Sequence, residues 1–281
     1  MQPLGRGQFS QVYVAKHLRT GIQVALKKVQ IFDIMDAKQR NDCIKEVRIL
    51  LSLDHPNIVQ CLDYFIEDNE LVIVLEWAQA GDLQQLINKR REQGQPFDEP
   101  HVWAFFAQIC GALRHMHERR MMHRDIKPSN IFLTADGTLK LGDLGLSRYF
   151  SSKTMQAQSM VGTPYYMSPE CIKGVAYDWS SDMWSLGCLL YEIAALRSPF
   201  YQDGLNYYTL GKSISSGQYQ PLPDSCPDSI RDLVARLLVP DPKQRPAIQQ
   251  VHDYAEGMLH ALCATQNGHA PTRRPSQTRG T

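Results

Sequence analysis

The stretch His123-Arg124-Asp125-Ile126-Lys127-Pro128-Ser129-Asn130 sets a carboxylate, an ammonium and an amide within six positions of one another. Asp125 can accept a hydroxyl proton. Lys127 can neutralise a phosphoryl group in transit, and Asn130 can bind a divalent cation. Thirteen residues after Asn130, Asp143-Leu144-Gly145 offers a second carboxylate for the same metal. Phosphoryl transfer asks mainly for positioning and charge neutralisation, which is what this set provides. Two ligands from different loops hold Mg²⁺ only if phosphate oxygens and water complete its octahedron. Any one of these residues alone reads as a loop Asp or Asn closing a turn. The order and spacing of the whole set carry the chemistry.

Two weaker signals precede it. Gly5-x-Gly7-x-x-Ser10-x-Val12 places glycines between two strands, where backbone N–H groups can approach a polyphosphate. Alone, it is better explained by an ordinary hairpin turn. A dinucleotide-binding fold needs a helix after the glycines, and here a strand follows, so a nicotinamide oxidoreductase is disfavoured. Next comes Val24-Ala25-Leu26-Lys27. A Lys on that strand can pair with α/β-phosphates, and Glu46, nineteen residues on, can orient it. The plainer alternative is two surface charges.

These residues need elements to hold them. Val12–Ala15 and Ile22–Val29 alternate at period two around a Thr20-Gly21 turn, which predicts a hairpin. Residues 36 to 53 switch to helical period, with Cys43 or Ile44, Val47, Leu50 and Leu51 on one face. Ile58 to Phe65 and Leu71 to Leu75 read as strands joined at Glu67-Asp68-Asn69. After a composition shift at Ala78 to Asp82 the chain turns mainly helical. Val102 to Glu118 is amphipathic, and Asp182 to Ala195 is apolar nearly all round, as a central buried helix would be. Further helices are expected near 228 to 238 and 246 to 262. From Ala264 no large apolar side chain occurs, which predicts a mobile basic tail.

Composition narrows the class. The 281 residues are 43% hydrophobic, enough for a full core and against global disorder. A net charge of +1 offers no field to hold nucleic acid or an anionic membrane. The longest near-apolar run, Met183 to Leu196, is interrupted by Ser185 and Glu192 and is shorter than the ~20 residues of a membrane span. The N-terminus lacks a signal peptide's apolar stretch. Seven cysteines without a C-x-x-C pair argue against a metal or disulfide framework and for a reducing, cytosolic or nuclear compartment.

In this order, the glycine loop, Val24–Lys27, Glu46, His123–Asn130, Asp143–Gly145, Ser168-Pro169-Glu170, Asp182-x-Trp184-Ser185-x-Gly187 and Arg245 resemble a eukaryotic protein kinase catalytic domain from Leu4 to about His260. The resemblance implies an α+β, bilobal fold: a small β-rich N-lobe with one regulatory helix (1–76), a hinge (77–82), a larger α-rich C-lobe (83–262) and the tail (263–281). It implies ATP and Mg²⁺ as cofactors. Asp125 and Lys127 would be catalytic, and Asn130 and Asp143 would hold the metal. Gly5, Gly7, Lys27 and Glu46 would serve the phosphates. For the adenine it implies Leu75 as gatekeeper, the backbone of Glu76 and Ala78 as hydrogen-bonding groups, and Val12, Ala25 and Phe132 as walls. Glu170 would pair with Arg245, and Asp182 would support the catalytic loop. Lys127 and Gly162-Thr163-Pro164-Tyr165-Tyr166 resemble the Ser/Thr class, with Thr163 bonding near Asp125 and Lys127.

Within kinases, Gly5-Arg6-Gly7-Gln8-Phe9-Ser10, Ala25 to Phe32, Phe65 to Leu71, Leu141 to Leu146 and Val161 to Glu170 resemble the short NIMA-related group. That likeness implies protein substrates, mitotic, centrosomal or microtubule-linked signalling, and a longer family member as activator. Arg124 beside Asp125 implies a phosphate on the activation loop to neutralise it, with Ser159 as the matching site and Thr154 as a second candidate. Leu146 hints at Ser over Thr acceptors. Three features depart from the common pattern: Ser10 for the third glycine, Leu144 for the usual Phe, and an opening strand that reads as cut short. The last keeps a second reading open, a catalytically impaired ATP-binding scaffold.

Overall fold

In a computed structural model of the chain, residues 1–6, 10–144, 164–202, 204 and 206–267 are described. The first part is a five-stranded antiparallel sheet in the order β1-β2-β3-β5-β4. Its strands are β1 (Gln2–Arg6), β2 (Ser10–Lys16), β3 (Gln23–Val29), β4 (Cys61–Glu67) and β5 (Glu70–Glu76). The β4–β5 turn carries Asp68 and Asn69 at φ 49° and 60°, the left-handed pair that tightens a two-residue hairpin. Between β3 and β4 lie a short helix, α1 (Ile31–Ile34), and α2 (Ala37–Leu50). A reciprocal cap starts α2: Asp36 accepts from the Gln39 N–H at 2.8 Å, and Gln39 accepts from the Asp36 N–H at 3.1 Å.

Cys43, Val47 and Leu50 form the buried stripe of α2, as the period predicts, but Leu51 is 38% exposed. The helix ends at Leu50, so the 3.6-residue period no longer applies there, and Leu53 turns inward instead. Ile58 likewise falls outside β4; it makes an isolated parallel bridge to Leu141.

The second part is helical around a small hairpin, β6 (Ile131–Leu133) with β7 (Leu139–Leu141). It contains α3 (Leu83–Glu92), α4 (Glu99–Glu118), α5 (Pro169–Ile172), α6 (Trp179–Ala195), α7 (Tyr207–Ser216), α8 (Asp228–Leu237) and α9 (Ile248–Asn267). Helix α6 is buried from Ser181 to Ile193, as its all-round apolar sequence predicts. Gly187 lets α8 approach closely, since a Cβ there would lie 2.7 Å from the Leu237 Cβ. Helix α9 runs on to Asn267, past the expected start of the tail; residues 268–281 lie outside the described part.

The loop between α2 and β4 locks the two parts together. Asn57 donates from Nδ2 to the Leu139 carbonyl and to Gln108 Oε1, both at 2.9 Å. The Val59 N–H reaches the Leu141 carbonyl at 2.9 Å, and the Leu141 N–H reaches the Asn57 carbonyl at 2.8 Å.

Candidate active site

Strand register assembles one wall of the site. Val12 lies opposite Lys27, and Ala25 lies opposite both Val14 and Leu75, so Val12, Ala25, Lys27 and Leu75 share one sheet face. The opposite face carries its own apolar group of Val24, Leu26 and Val72. On the site face, Lys27, Leu75, Ile73, Cys61, Leu50, Val59, Asp143 and Leu144 line a cleft. Gly5 pairs with Val12 in the β1–β2 ladder. A Cβ at Gly5 would meet nothing within 4 Å, so packing among the described residues does not demand glycine there, whereas close approach of a phosphate would.

The opposite wall is the segment from His123 to Gly142. Asp182, fully buried on α6, supports it. Asp182 accepts from the His123 N–H at 2.9 Å, the Arg124 N–H at 2.9 Å, His117 Nε2 at 2.8 Å and the Tyr177 hydroxyl. Burial works to raise the Asp182 pKa, but these donors outweigh it and hold the group below the usual carboxylate range. The grip fixes Arg124 at φ 71°, a left-handed conformation that a long side chain seldom adopts. His123 then donates from Nε2 to the Gly142 carbonyl at 3.0 Å and accepts at Nδ1 from the Asp125 N–H at 3.2 Å, a pairing that fits the Nε2–H tautomer. The single imidazole therefore joins the Asp125 loop to the Asp143 loop.

Asp125 Oδ2 accepts from Lys127 Nζ at 2.7 Å and from Asn130 Nδ2 at 2.9 Å. Asn130 Nδ2 also donates to the Asp125 carbonyl at 2.8 Å. With its NH₂ turned to Asp125, Asn130 keeps its amide oxygen as the atom to offer a cation. Lys27 Nζ is ion-paired with Asp143 Oδ1 across 116 positions of sequence. Its charge holds Asp143 below the usual carboxylate range, with Lys127 and His123 assisting and burial opposing. Asp143 stands at φ 58°, and its side chain is 43% exposed. Lys27 would thus stand ready to hold a phosphate beside the carboxylate that would hold its cation.

The donor set suits a hard divalent cation, because a neutral amide oxygen and a carboxylate are the ligands on offer. Among the described residues no cluster of three or more His, Cys, Asp or Glu side chains could hold a metal unaided. A cation bound by Asn130 and Asp143 would need further oxygen ligands, which phosphate and water could supply. When bound, ATP and the metal supply the electrophilic phosphoryl group and the charge that offsets it. Asp125 offers an acceptor for a hydroxyl proton, and Lys127, bonded to that same carboxylate, brings a positive charge beside it.

The residues expected on the adenine side lie where the two parts meet. Glu76 donates its own N–H to the Gln60 carbonyl at 2.9 Å, so what it can offer a base is its carbonyl. Ala78 is buried, and the following linker pairs with β6, with the Ala80 N–H on the Leu133 carbonyl at 3.0 Å and the Leu133 N–H on the Gly81 carbonyl at 2.9 Å. Phe132 covers Gly142 so closely that a Cβ there would sit 2.6 Å from its ring. Glu46 lies half-buried on α2, and the ion pair seen for Lys27 is with Asp143. Gly7, Leu146, Thr154, Ser159 and Thr163 lie outside the described residues.

The expected structural pair is formed. Arg245 donates to both Glu170 oxygens at 2.7 and 2.8 Å, and further to the carbonyls of Ser180 and Val239. Burial pushes the Glu170 pKa up, but Arg245 and the Ser181 hydroxyl more than reverse this and bring it to about 2. Sequence reasoning missed His117, Tyr177, Asn57 and Lys140 (below). None of them stands in a local pattern that announces its partner.

The protein kinase domain family matches residues 1–255 of the chain. Over 255 residues the chain is 38% identical to the probable serine/threonine-protein kinase nek3 of Dictyostelium discoideum, covering 89% of this chain and 22% of that protein. It is 38% identical over 251 residues to the mouse serine/threonine-protein kinase Nek1, covering 89% of this chain and 20% of that protein. It is 37% identical over 257 residues to the probable serine/threonine-protein kinase nek2 of Dictyostelium discoideum, covering 90% and 60%. The chain thus spans from a fifth to three-fifths of the length of these relatives. The family match, the bilobal arrangement and the Lys27–Asp143 and Asp125–Lys127–Asn130 contacts agree, and the chain belongs to the protein kinase domain family as a serine/threonine kinase domain of the Nek (NIMA-related) group.

Proposed function

We propose that this chain transfers the γ-phosphoryl group of Mg²⁺-bound ATP to Ser or Thr hydroxyls of protein substrates. Asp125 takes the hydroxyl proton. Lys127 neutralises the phosphoryl group in transit, Lys27 holds the α/β-phosphates, and Asn130 and Asp143 hold the metal. The supporting observation is the joint arrangement of the two loops, in which Asp125 is bonded by Lys127 and Asn130 while Lys27 is bonded to Asp143. The likeness to Nek kinases supports a place in mitotic, centrosomal or microtubule-linked signalling, in the cytoplasm or nucleus. It also supports switching by a phosphate at Ser159, with a longer Nek relative as the donor enzyme. No helix among the described residues is long and apolar enough to cross a membrane.

The test is transfer of radiolabelled phosphate from ATP, with Mg²⁺, to a generic Ser/Thr protein substrate. The unaltered chain, Asp125→Asn and Ser159→Asp are compared. Transfer should vanish in Asp125→Asn and rise in Ser159→Asp. Equal transfer by the chain and Asp125→Asn defeats the assignment of the base. Nucleotide binding without transfer in every form would favour an ATP-binding scaffold.

A further inference from the structure

Glu76 is the last residue of β5, where the sheet passes into the linker. Its carboxylate is held from the other part of the fold. Lys140 Nζ lies 2.8 Å from Oε1 and 2.9 Å from Oε2, and the Gln60 N–H faces Oε2 at 3.3 Å. Lys140 belongs to β7 and stands opposite Phe132 in the β6–β7 ladder. It is only 14% exposed, and Glu76 is 31% exposed, so the pair is screened less than a surface pair would be. An ammonium this far from solvent depends on its partner, and a two-oxygen grip fixes the partner's direction as well as its distance.

Among the described residues, other links between the parts are the Lys27–Asp143 ion pair inside the cleft and the backbone and Asn57 bonds on the side of the α2–β4 loop. Lys140–Glu76 is the side-chain link that acts on the linker itself. Its two ends are Glu76, whose carbonyl would face the base, and Lys140, the strand partner of Phe132, which would floor it. We propose that the Lys140–Glu76 ion pair is a strap that sets the angle between the hinge backbone and Phe132, and that Lys140 is a positioning residue for the adenine of ATP. The inference rests on the nucleotide site proposed above and adds a residue to it. Because the strap acts on the base and not on Asp125 or Asp143, its loss is felt in nucleotide affinity and not in the transfer step.

The experiment uses the whole chain and five variants: Lys140→Met, Glu76→Gln, the two combined, Lys140→Arg, and the exchange Lys140→Glu with Glu76→Lys. Titration with a fluorescent ATP analogue gives Kd. Steady-state transfer gives kcat, KM for ATP and KM for the protein substrate. Each single neutral variant should raise Kd and KM for ATP by roughly three- to tenfold, and their combination by no more than either alone, the signature of one coupled pair. kcat and the protein KM should stay within about twofold, a split that general loosening of the fold would not give. Lys140→Arg should bind ATP as the unaltered chain does, and the exchange should recover part of the loss. Unchanged or tighter ATP binding in both single variants overturns the strap, as does a combined loss equal to the product of the single losses. If Lys140→Met fails to fold, Glu76→Gln and Lys140→Arg decide the matter alone. Failure of the unaltered chain to bind the analogue overturns the nucleotide site, and the strap with it.

Discussion

Replacing Asp182 by Asn asks whether the catalytic loop is held from beneath. Each oxygen of Asp182 accepts two hydrogen bonds. Oδ1 takes the Arg124 N–H and the Tyr177 hydroxyl; Oδ2 takes the His123 N–H and His117 Nε2. An Asn amide keeps one acceptor oxygen and turns the other position into a donor. The Tyr177 hydroxyl can rotate to accept, and His117 can move its proton to Nδ1. A backbone N–H has no such option, so either orientation of the amide leaves His123 or Arg124 facing another donor. One orphaned buried donor costs about 1–3 kcal/mol. Removing a buried charge returns some desolvation cost, which makes the upper figure a ceiling. At about 2–4 °C per kcal/mol, the melting temperature should fall by roughly 2–12 °C. Arg124, at φ 71°, should relax once its N–H is released and carry Asp125 with it. Small displacements of a reacting group cost up to about a hundredfold, so kcat should fall by about ten- to a hundredfold. KM for ATP should stay within about twofold, because Lys27 and Glu76 stand on the sheet. Calorimetry and steady-state transfer measure both effects. A variant melting within about 1 °C of the parent, with kcat within about twofold, would refute the argument.

Arg245→Met should leave Glu170 buried and unpaired, at a cost of about 3–5 kcal/mol; a melting temperature close to the parent's would show the pair to be dispensable. Glu170 has its pKa depressed from 4.5 to about 2, so its contribution is complete above pH 4.5 and is lost as pH falls towards 2. A depression of that size is worth at most about 3–4 kcal/mol, so the melting temperature should fall as pH drops through that window, and less so in Arg245→Met. Gly142→Ala would press a Cβ to 2.6 Å from the Phe132 ring and 3.0 Å from Val59. It should destabilise by about 1–3 kcal/mol and raise KM for ATP, and a neutral result would place Phe132 away from the base. Lys27→Met should weaken nucleotide binding and let the Asp143 pKa rise, so that metal-dependent binding is lost at a higher pH than in the parent.

Much of the site was legible because its residues come in short runs. His123 to Asn130 and Asp143 to Gly145 hold their chemical types at fixed local spacing, and a catalytic loop needs that spacing to point its groups one way. The α2, α4 and α6 periods were legible for a similar reason, since burial on one face or all round leaves a mark every three or four residues. The end of α2 was not. Leu51 continues the apolar pattern by type, but the helix stops at Leu50, and termination depends on where the chain must turn towards β4. Helices α3 and α7 were not singled out, because their buried residues are few: Leu83 and Ile87 in one, Leu210 and Ile214 in the other.

The sequence by itself determined which groups are available and in what order: the Lys27 ammonium, the Asp125 carboxylate with the Asn130 amide, the Asp143 carboxylate, and a buried helix to mount them on. Only the tertiary structure decided which of them meet. Lys27 reaches Asp143 across 116 positions, His123 is bonded to Asp182 across 59, and Lys140 reaches Glu76 across 64. No local spacing encodes such pairs. They exist because strand register turns Lys27 to the inner sheet face, burial of α6 brings Asp182 under the loop, and the β6–β7 hairpin carries Lys140 beneath the linker.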